Sequence, residues 1–200
     1  MLSAFKDTVK GALAFGVSSS LVSAVGFVLI PLYTKRLSIE DFGTLGLVNL
    51  TMSVATALFG MGLSSSIFRS YYDYQEEEDR KKLIGTALFV AFIGCALLLL
   101  LATLTAEPLI AEKLFHLPKK GRYFMVGLYA SAVGLLNAVP LAVYRAKKML
   151  GRFALLNGAV AFLQMVLFVV LVVFYHAGIM GIVSGQLAAQ LFVAVVLLFS

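Results

Sequence analysis

The stretch from Gly26 to Gly46, GFVLIPLYTKRLSIEDFGTLG, joins two long apolar segments through a short charged break. Its first part ends an uncharged run that begins at Gly11, and a lysine–arginine pair closes that run. Ser38 and the acidic pair that follows it are typical of a capping box, in which the serine hydroxyl accepts a first-turn N–H. Acidic residues also suit the positive end of a new helix. The stretch therefore predicts a tight hairpin between two membrane helices.

The composition of the 200-residue chain is that of an integral membrane protein. Hydrophobic residues make up 61% of it and charged residues 13%, whereas soluble domains average about 45–50% and about 25%. The net charge of +6 comes from Lys and Arg at segment ends, so it favours anionic headgroups of the bilayer over nucleic acid as the partner. The start does not have the pattern of a cleavable signal peptide, because the apolar run there is longer than a signal core.

Uncharged runs long enough to span a membrane, about 20 residues, recur along the chain. The last of them, from Phe153 to Ser200, is too long for one span and is divided at Tyr175–Gly178. The predicted spans are 11–34, 42–68, 83–106, 123–144, 153–175 and 178–198. These runs are far longer than barrel strands and do not alternate with a period of two. The sequence therefore predicts an all-α fold, a polytopic bundle of six transmembrane helices in one domain, residues 1–200.

Basic residues are shared unevenly between the two sides of the predicted bundle. Ten Lys and Arg residues fall on the side of the N-terminus and six on the other side. Because cytoplasmic loops carry the excess of Lys and Arg, we expect a multi-pass protein of the inner (plasma) membrane with a cytoplasmic N-terminus. An even number of spans returns the C-terminus to the same side.

Polar side chains inside the spans are candidates for function, because lipid cannot satisfy their hydrogen bonds. They serve either to join helices or to line an aqueous cavity, and the sequence leaves both alternatives open. The candidates for substrate binding are Asn49, Asn137, Gln164 and Gln186, and further polar groups in the same spans are Thr51, Ser53, Thr56 and Gln190.

Two arginines at the ends of apolar spans are the candidate charges. Arg69 ends the second predicted span in IFRSYY, and Arg145 ends the fourth in AVYRAKK. Each is either a snorkelling cation that stops transfer or part of a basic site for an anionic headgroup. Arginine suits the second role because its planar fork bonds two phosphate oxygens at once. Arg69 and Arg145 therefore join the predicted substrate-binding residues.

The sequence has no pattern typical of an enzyme or a metal site. It contains no GxxxxGKS/T loop, no HExxH and no CxxC. His116 and His176 are the only histidines, and each stands alone between predicted spans, which is too few ligands for a metal. We therefore predict no catalytic residue, no metal and no cofactor.

Three motifs between Gly26 and Tyr72 carry a resemblance to a known family. They are LIPLYTKRLS at the end of the first span, IEDFGTLGLV at the start of the second, and GMGLSSSIFRSYY at its end. They resemble the start of the polysaccharide biosynthesis (O-antigen-type) flippases, which belong to the multidrug/oligosaccharidyl-lipid/polysaccharide exporter superfamily. A polar loop after the second span and a basic loop after the fourth extend the likeness to all six predicted spans.

The resemblance implies both an architecture and a function. Members are built from two six-helix lobes around a central cavity, so this chain resembles one N-terminal lobe. Its partner would be a second lobe, either a C-terminal half or a second copy. The implied activity is translocation of a lipid-diphosphate-linked oligosaccharide for polysaccharide export, without covalent chemistry. The alternatives are a drug-exporter lobe of the same superfamily and a non-transporting scaffold or assembly subunit.

Overall fold

The computed structural model describes residues 37–198, and in this part of the chain every regular element is a helix. Five helical segments within it are long and apolar enough to cross a membrane. The predicted first span, residues 11–34, lies outside the described residues. The all-helical membrane fold is therefore confirmed, with five of the predicted crossings present in the described part of the chain.

Short connections link the helices. They are α1 Ile39–Gly60, α2 Leu63–Asp73, α3 Glu77–Thr105, α4 Gly121–Ala146, α5 Leu150–Phe168 and α6 Gly178–Leu198. Stretches of π-helix, Ala106–Leu114 and Val169–Phe174, extend α3 and α5. α1 and α2 together form one crossing, Ile39–Asp73, which bends at Met61 and Gly62, both of which have left-handed backbone angles.

The start of α1 is fixed by the capping box that the sequence predicts. The Ser38 hydroxyl accepts from the Asp41 N–H at 3.1 Å, and the Asp41 carboxylate accepts from the Ser38 N–H at 3.4 Å. Two donors at the helix N-terminus are thereby satisfied. The predicted capping box is confirmed.

The helices extend beyond the apolar runs that predict them. The polar stretch from Arg69 to Lys82 is mostly helical, since α2 continues to Asp73 and α3 begins at Glu77. Glu, Lys and Arg are good helix formers, and three acidic residues stand in the first turn of α3, where the helix dipole favours them. The charged residues of this stretch therefore belong to helical extensions of α2 and α3 beyond the apolar runs.

The second polar stretch, from residue 107, is also helical at its start. The predicted span ends at Ala106, and the helix continues beyond that residue as π-helix to Leu114. This segment contains Pro108, which has no N–H to donate and crowds an ordinary α-turn. The wider π-turn is the local winding found here, a form that usually occurs as a short insertion in an α-helix.

α4 is the central helix of the described bundle. It packs against α1, α2, α3, α5 and α6. Half of its most apolar stretch is buried, against 22% to 33% for the other four crossings. Small residues allow this close packing in a membrane. At Gly127, for example, a Cβ would lie 3.0 Å from the Met52 sulfur and from Val48. The side chains of α1 therefore pack directly against the backbone of α4 at this position.

Polar contacts join the helices at both ends of the bundle. At one end, the Lys120 ammonium lies 2.6 Å from the Glu40 carboxylate and donates to the Thr44 hydroxyl at 3.2 Å. At the other end, the Tyr72 hydroxyl donates to the Ala146 carbonyl at 2.8 Å. We call this second end the basic end, because most described Lys and Arg side chains lie there: Arg69, Arg80, Lys81, Lys82, Arg145, Lys147, Lys148 and Arg152.

Candidate functional site

A polar cavity of about 680 Å³ lies between α1, α4 and α6. α1 and α6 barely touch each other, whereas both pack on α4, and this arrangement leaves the space open. The polar side chains that line the cavity are all amides or hydroxyls: Asn49, Ser53, Thr56, Ser131, Gln186 and Gln190. None of the described lining residues is charged. The cavity is therefore a neutral, hydrogen-bonding space that opens between largely apolar helices.

Helical spacing brings these side chains to one place. Asn49, Ser53 and Thr56 follow each other at intervals of four and three residues on α1, which puts them on one face of that helix. Gln186 and Gln190 are four residues apart on α6 and share a face for the same reason. Facing hydrocarbon, such groups would be costly unless bonded, and in the cavity they face one another across polar space.

Asn137 holds the amide of Gln190 from behind the cavity wall. It is 3% exposed, and its Nδ2 donates to both the Gln190 main-chain carbonyl and the Gln190 Oε1, each at 2.9 Å. Because Oε1 is used in this way, the Nε2 donors of Gln190 remain available to the cavity. The amide lies against Gly134 of α4, where a Cβ would be in ordinary van der Waals contact with Gln190 Nε2, at 3.8 Å. Asn137 is thus a positioning residue.

Ser131 contributes a buried hydroxyl that has no hydrogen-bond partner among the described residues. Serines inside helices commonly donate to the carbonyl four residues earlier, as Ser53 does to Asn49 at 2.9 Å. Ser131 does not, although it is only 6% exposed and lines the cavity. A buried unpaired polar group costs about 1–3 kcal/mol, so this hydroxyl is available to a partner from outside the described residues, such as a water or a ligand in the cavity.

The structure divides the residues that the sequence marks as candidates. Asn49 and Gln186 line the cavity, and Asn137 lies directly behind it. Gln164, half-buried on α5, is not among the lining residues. Ser131 is missing from the sequence-based candidates because a serine between two alanines has the pattern of ordinary small packing residues.

The two candidate arginines lie at the basic end. Arg145 lines a smaller cavity of about 180 Å³ between α2 and α4, together with Ser64, Ser65 and Phe68. Its guanidinium carbon is 5.4 Å from the centre of the Phe153 ring, within cation–π distance. Arg69 follows Phe68 on α2, is exposed, and is not among the residues that line either cavity. Residues 134 to 145 correspond to about 16 Å of α4, which separates the polar cavity from the basic end.

Replacing Asn137 by leucine is expected to destabilise the bundle by about 1–2 kcal/mol. Two hydrogen bonds between α4 and α6 are lost, and bonds of this kind in membranes contribute up to about 1.7 kcal/mol each. Unfolding in detergent micelles measures the effect. Gln164→Leu is the matched control, because Gln164 makes no hydrogen bond to another described residue, and it should change stability by less than about 0.5 kcal/mol. Equal stability of the two variants would contradict the role assigned to Asn137.

One comparison with known proteins shows the family of this chain, and another shows its fold. The family model described as "Polysaccharide biosynthesis protein" matches residues 8–199. Among solved structures, the fold is similar to that of a MOP superfamily transporter from Pyrococcus furiosus, with a TM-score of 0.76 and 16% sequence identity. That alignment covers 94% of this chain and 43% of the transporter chain, so this chain spans less than half of its length. A search of curated proteins found no match.

Proposed function

The chain belongs to the polysaccharide biosynthesis protein family, and we propose that it forms one lobe of a flippase that moves a lipid-diphosphate-linked oligosaccharide across the cytoplasmic membrane. The transporter fold of a MOP superfamily member supports the transport role at the level of architecture. The observation that carries the proposal is the neutral polar cavity that opens between α1, α4 and α6.

The chemistry of the cavity wall suits sugar hydroxyls. Amide and hydroxyl side chains both donate and accept hydrogen bonds, as do the hydroxyls of an oligosaccharide. The Ser131 hydroxyl, which has no partner among the described residues, and the Gln190 amide of α6, which lies against Gly134, face this space at positions within about one turn of each other along α4. A cationic drug would instead be expected to need an acidic partner inside the membrane, and no carboxylate is among the described lining residues. The wall therefore favours a sugar over a cationic drug.

The basic end would receive the diphosphate of the same substrate. Arg145 and Arg69 stand there on neighbouring helices, and arginine can bond two phosphate oxygens at once. The polar cavity begins about 16 Å away along α4. The diphosphate would therefore bind at the basic end, while the sugars enter the cavity and the lipid tail stays in the bilayer.

The orientation of the lobe follows from the same charges. Eight described Lys and Arg residues lie at the basic end, while Lys113, Lys119, Lys120 and Arg122 are at the other. The positive-inside rule favours a cytoplasmic position for the basic end, which fits loading from the inner leaflet of the cell membrane. A second lobe, from a C-terminal half or another copy, would complete the path. Rocking of the two lobes would then expose the cavity outward.

Thiol labelling tests whether the cavity is the transport path. Cys95 is the chain's only cysteine, so a Cys95→Ala background allows single cysteines to be introduced. Ser53→Cys and Gln186→Cys should react with a membrane-impermeant thiol reagent, and the bulky product should block flipping of the lipid-linked oligosaccharide.

The control is Leu97→Cys on α3, where the side chain is 47% exposed on the apolar surface of the bundle. It should not react with the polar reagent, because bilayer lipid covers that surface. Labelled cavity cysteines with undiminished flipping would remove the cavity from the path and favour the alternative of a scaffold subunit.

A further inference from the structure

A second groove, separate from the polar cavity, opens on the surface of the bundle near the basic end. It has a volume of about 410 Å³ and lies between α3, α4 and the start of α5. Most of its wall is apolar and includes Ile84, Leu88, Val139 and Val143. At one end of the groove stand two cations, Lys147 and Arg152. We call it the lateral groove.

The two cations of the lateral groove are available to a ligand. Lys147 and Arg152 are both exposed, and neither forms an ion pair with another described residue. Salt bridges between described residues lie elsewhere, at Lys82 with Asp79 and at Lys120 with Glu40. The groove thus offers positive charge that no carboxylate of the described chain neutralises.

A neighbouring groove of about 470 Å³ adds further positive charge. It shares Lys147 with the lateral groove and is also lined by Arg80, Lys148 and Glu77. The guanidinium of Arg80 is held in place there, with its Nε donating to the Tyr74 carbonyl at 2.9 Å and its carbon 4.9 Å from the centre of the Tyr71 ring. Glu77 is the one carboxylate among the described lining residues of the two grooves, so cations outnumber it.

We propose that the lateral groove binds an anionic phospholipid, with an acyl chain along its apolar part and the phosphate between Lys147 and Arg152. In a membrane protein the occupant of an exposed apolar groove is lipid, and a basic pocket between helices on the cytoplasmic side selects an anionic headgroup. The apolar wall of the groove matches the acyl chain of a phospholipid, and the two cations match its phosphate. The proposal uses the orientation with the basic end in the cytoplasm, and it does not depend on the substrate proposed above.

Native mass spectrometry of the purified chain in detergent tests the site. The probes are phosphatidylglycerol and phosphatidylcholine with identical acyl chains. A basic residue that contacts the anionic headgroup is expected to strengthen its binding roughly fivefold, the contribution of one Lys or Arg at an anionic membrane surface. Lys147→Gln with Arg152→Gln is therefore expected to weaken phosphatidylglycerol binding roughly 25-fold and to leave phosphatidylcholine binding unchanged. Leu88→Gln, in the apolar part, should weaken both lipids equally.

The matched control is Lys81→Gln with Lys82→Gln, which removes the same charge from the same end but outside both grooves. It should bind phosphatidylglycerol as the unchanged chain does. Undiminished phosphatidylglycerol binding by the Lys147/Arg152 variant, or an equal loss in the control, would overturn the site. Displacement of the lipid by millimolar inorganic phosphate would also overturn it, by showing a phosphate site that does not use the apolar groove.

Discussion

Replacing Arg145 by alanine is expected to slow flipping of a lipid-diphosphate-linked oligosaccharide by about ten- to a hundredfold, without lowering the amount of protein in the membrane. A hydrogen bond to a charged group contributes about 1.5–3 kcal/mol, and each 1.4 kcal/mol is about a factor of ten. Arg145 stands at the end of α4, over the Phe153 ring, so its loss removes a charge that an aromatic side chain already holds in place.

Three further variants separate phosphate binding from a role in membrane insertion. Arg69→Ala should act in the same direction as Arg145→Ala. Arg145→Lys should recover only part of the rate, because lysine keeps the charge but loses the bidentate contact. Lys113→Ala, an exposed cation at the opposite end, should have no effect. Wild-type flipping by both arginine-to-alanine variants would identify these residues as stop-transfer cations.

Replacing Gly121 by alanine is expected to destabilise the bundle by about 3 kcal/mol, the upper range for overpacking a tightly packed site. A Cβ at Gly121 would lie 2.5 Å from the Cα of Glu107 and 2.8 Å from its Cβ. These atoms belong to the main chain and the base of a side chain, so no rotamer change relieves the overlap. The start of α4 would have to move away from the π-helix.

Gly158→Ala provides the comparison in a helix of the same bundle. Apart from the neighbouring residues and backbone of α5 itself, no described atom lies within 4 Å of the Cβ position at Gly158, and alanine is a better helix former than glycine by up to about 1 kcal/mol. Unfolding in micelles should therefore show a lower midpoint for Gly121→Ala and an unchanged or raised one for Gly158→Ala. The same midpoint for both variants would mean that α4 and the π-helix do not meet as described.

The features that the sequence predicts are those with a local physical signal. The Ser38 capping box depends on residues three positions apart and is present. The long apolar runs predict the crossings, because a bilayer requires such lengths. On α1, polar residues spaced by three and four positions face the cavity together. In each of these cases the decisive contacts lie within one helix or within one turn of it.

The features that the sequence does not predict depend on contacts between helices. Asn137 and Gln164 are both amides inside apolar spans, yet one bonds Gln190 and the other does not line the cavity. α5 and α6 are apolar over most of their surface, and their few amides do not by themselves set the rotation of each helix about its axis. The bend at Met61 and Gly62 is also not predicted, because the apolar run continues through both residues without a charge.

Flipping in proteoliposomes, measured on the chain assembled with its second lobe, tests most directly whether the neutral cavity carries the sugars. Ser53→Leu places an apolar side chain in the cavity, and Thr103→Leu makes a similar change on the exposed surface of α3. The two hydroxyls are matched, because each donates to a carbonyl of its own helix. We expect the unchanged protein and Thr103→Leu to flip the lipid-diphosphate-linked oligosaccharide at the same rate. Ser53→Leu should lose at least nine-tenths of that rate, because a tenfold change corresponds to about 1.4 kcal/mol, roughly the contribution of one hydrogen bond. Equal rates for the two variants, or no flipping by the unchanged protein above that of protein-free liposomes, would contradict this function of the cavity.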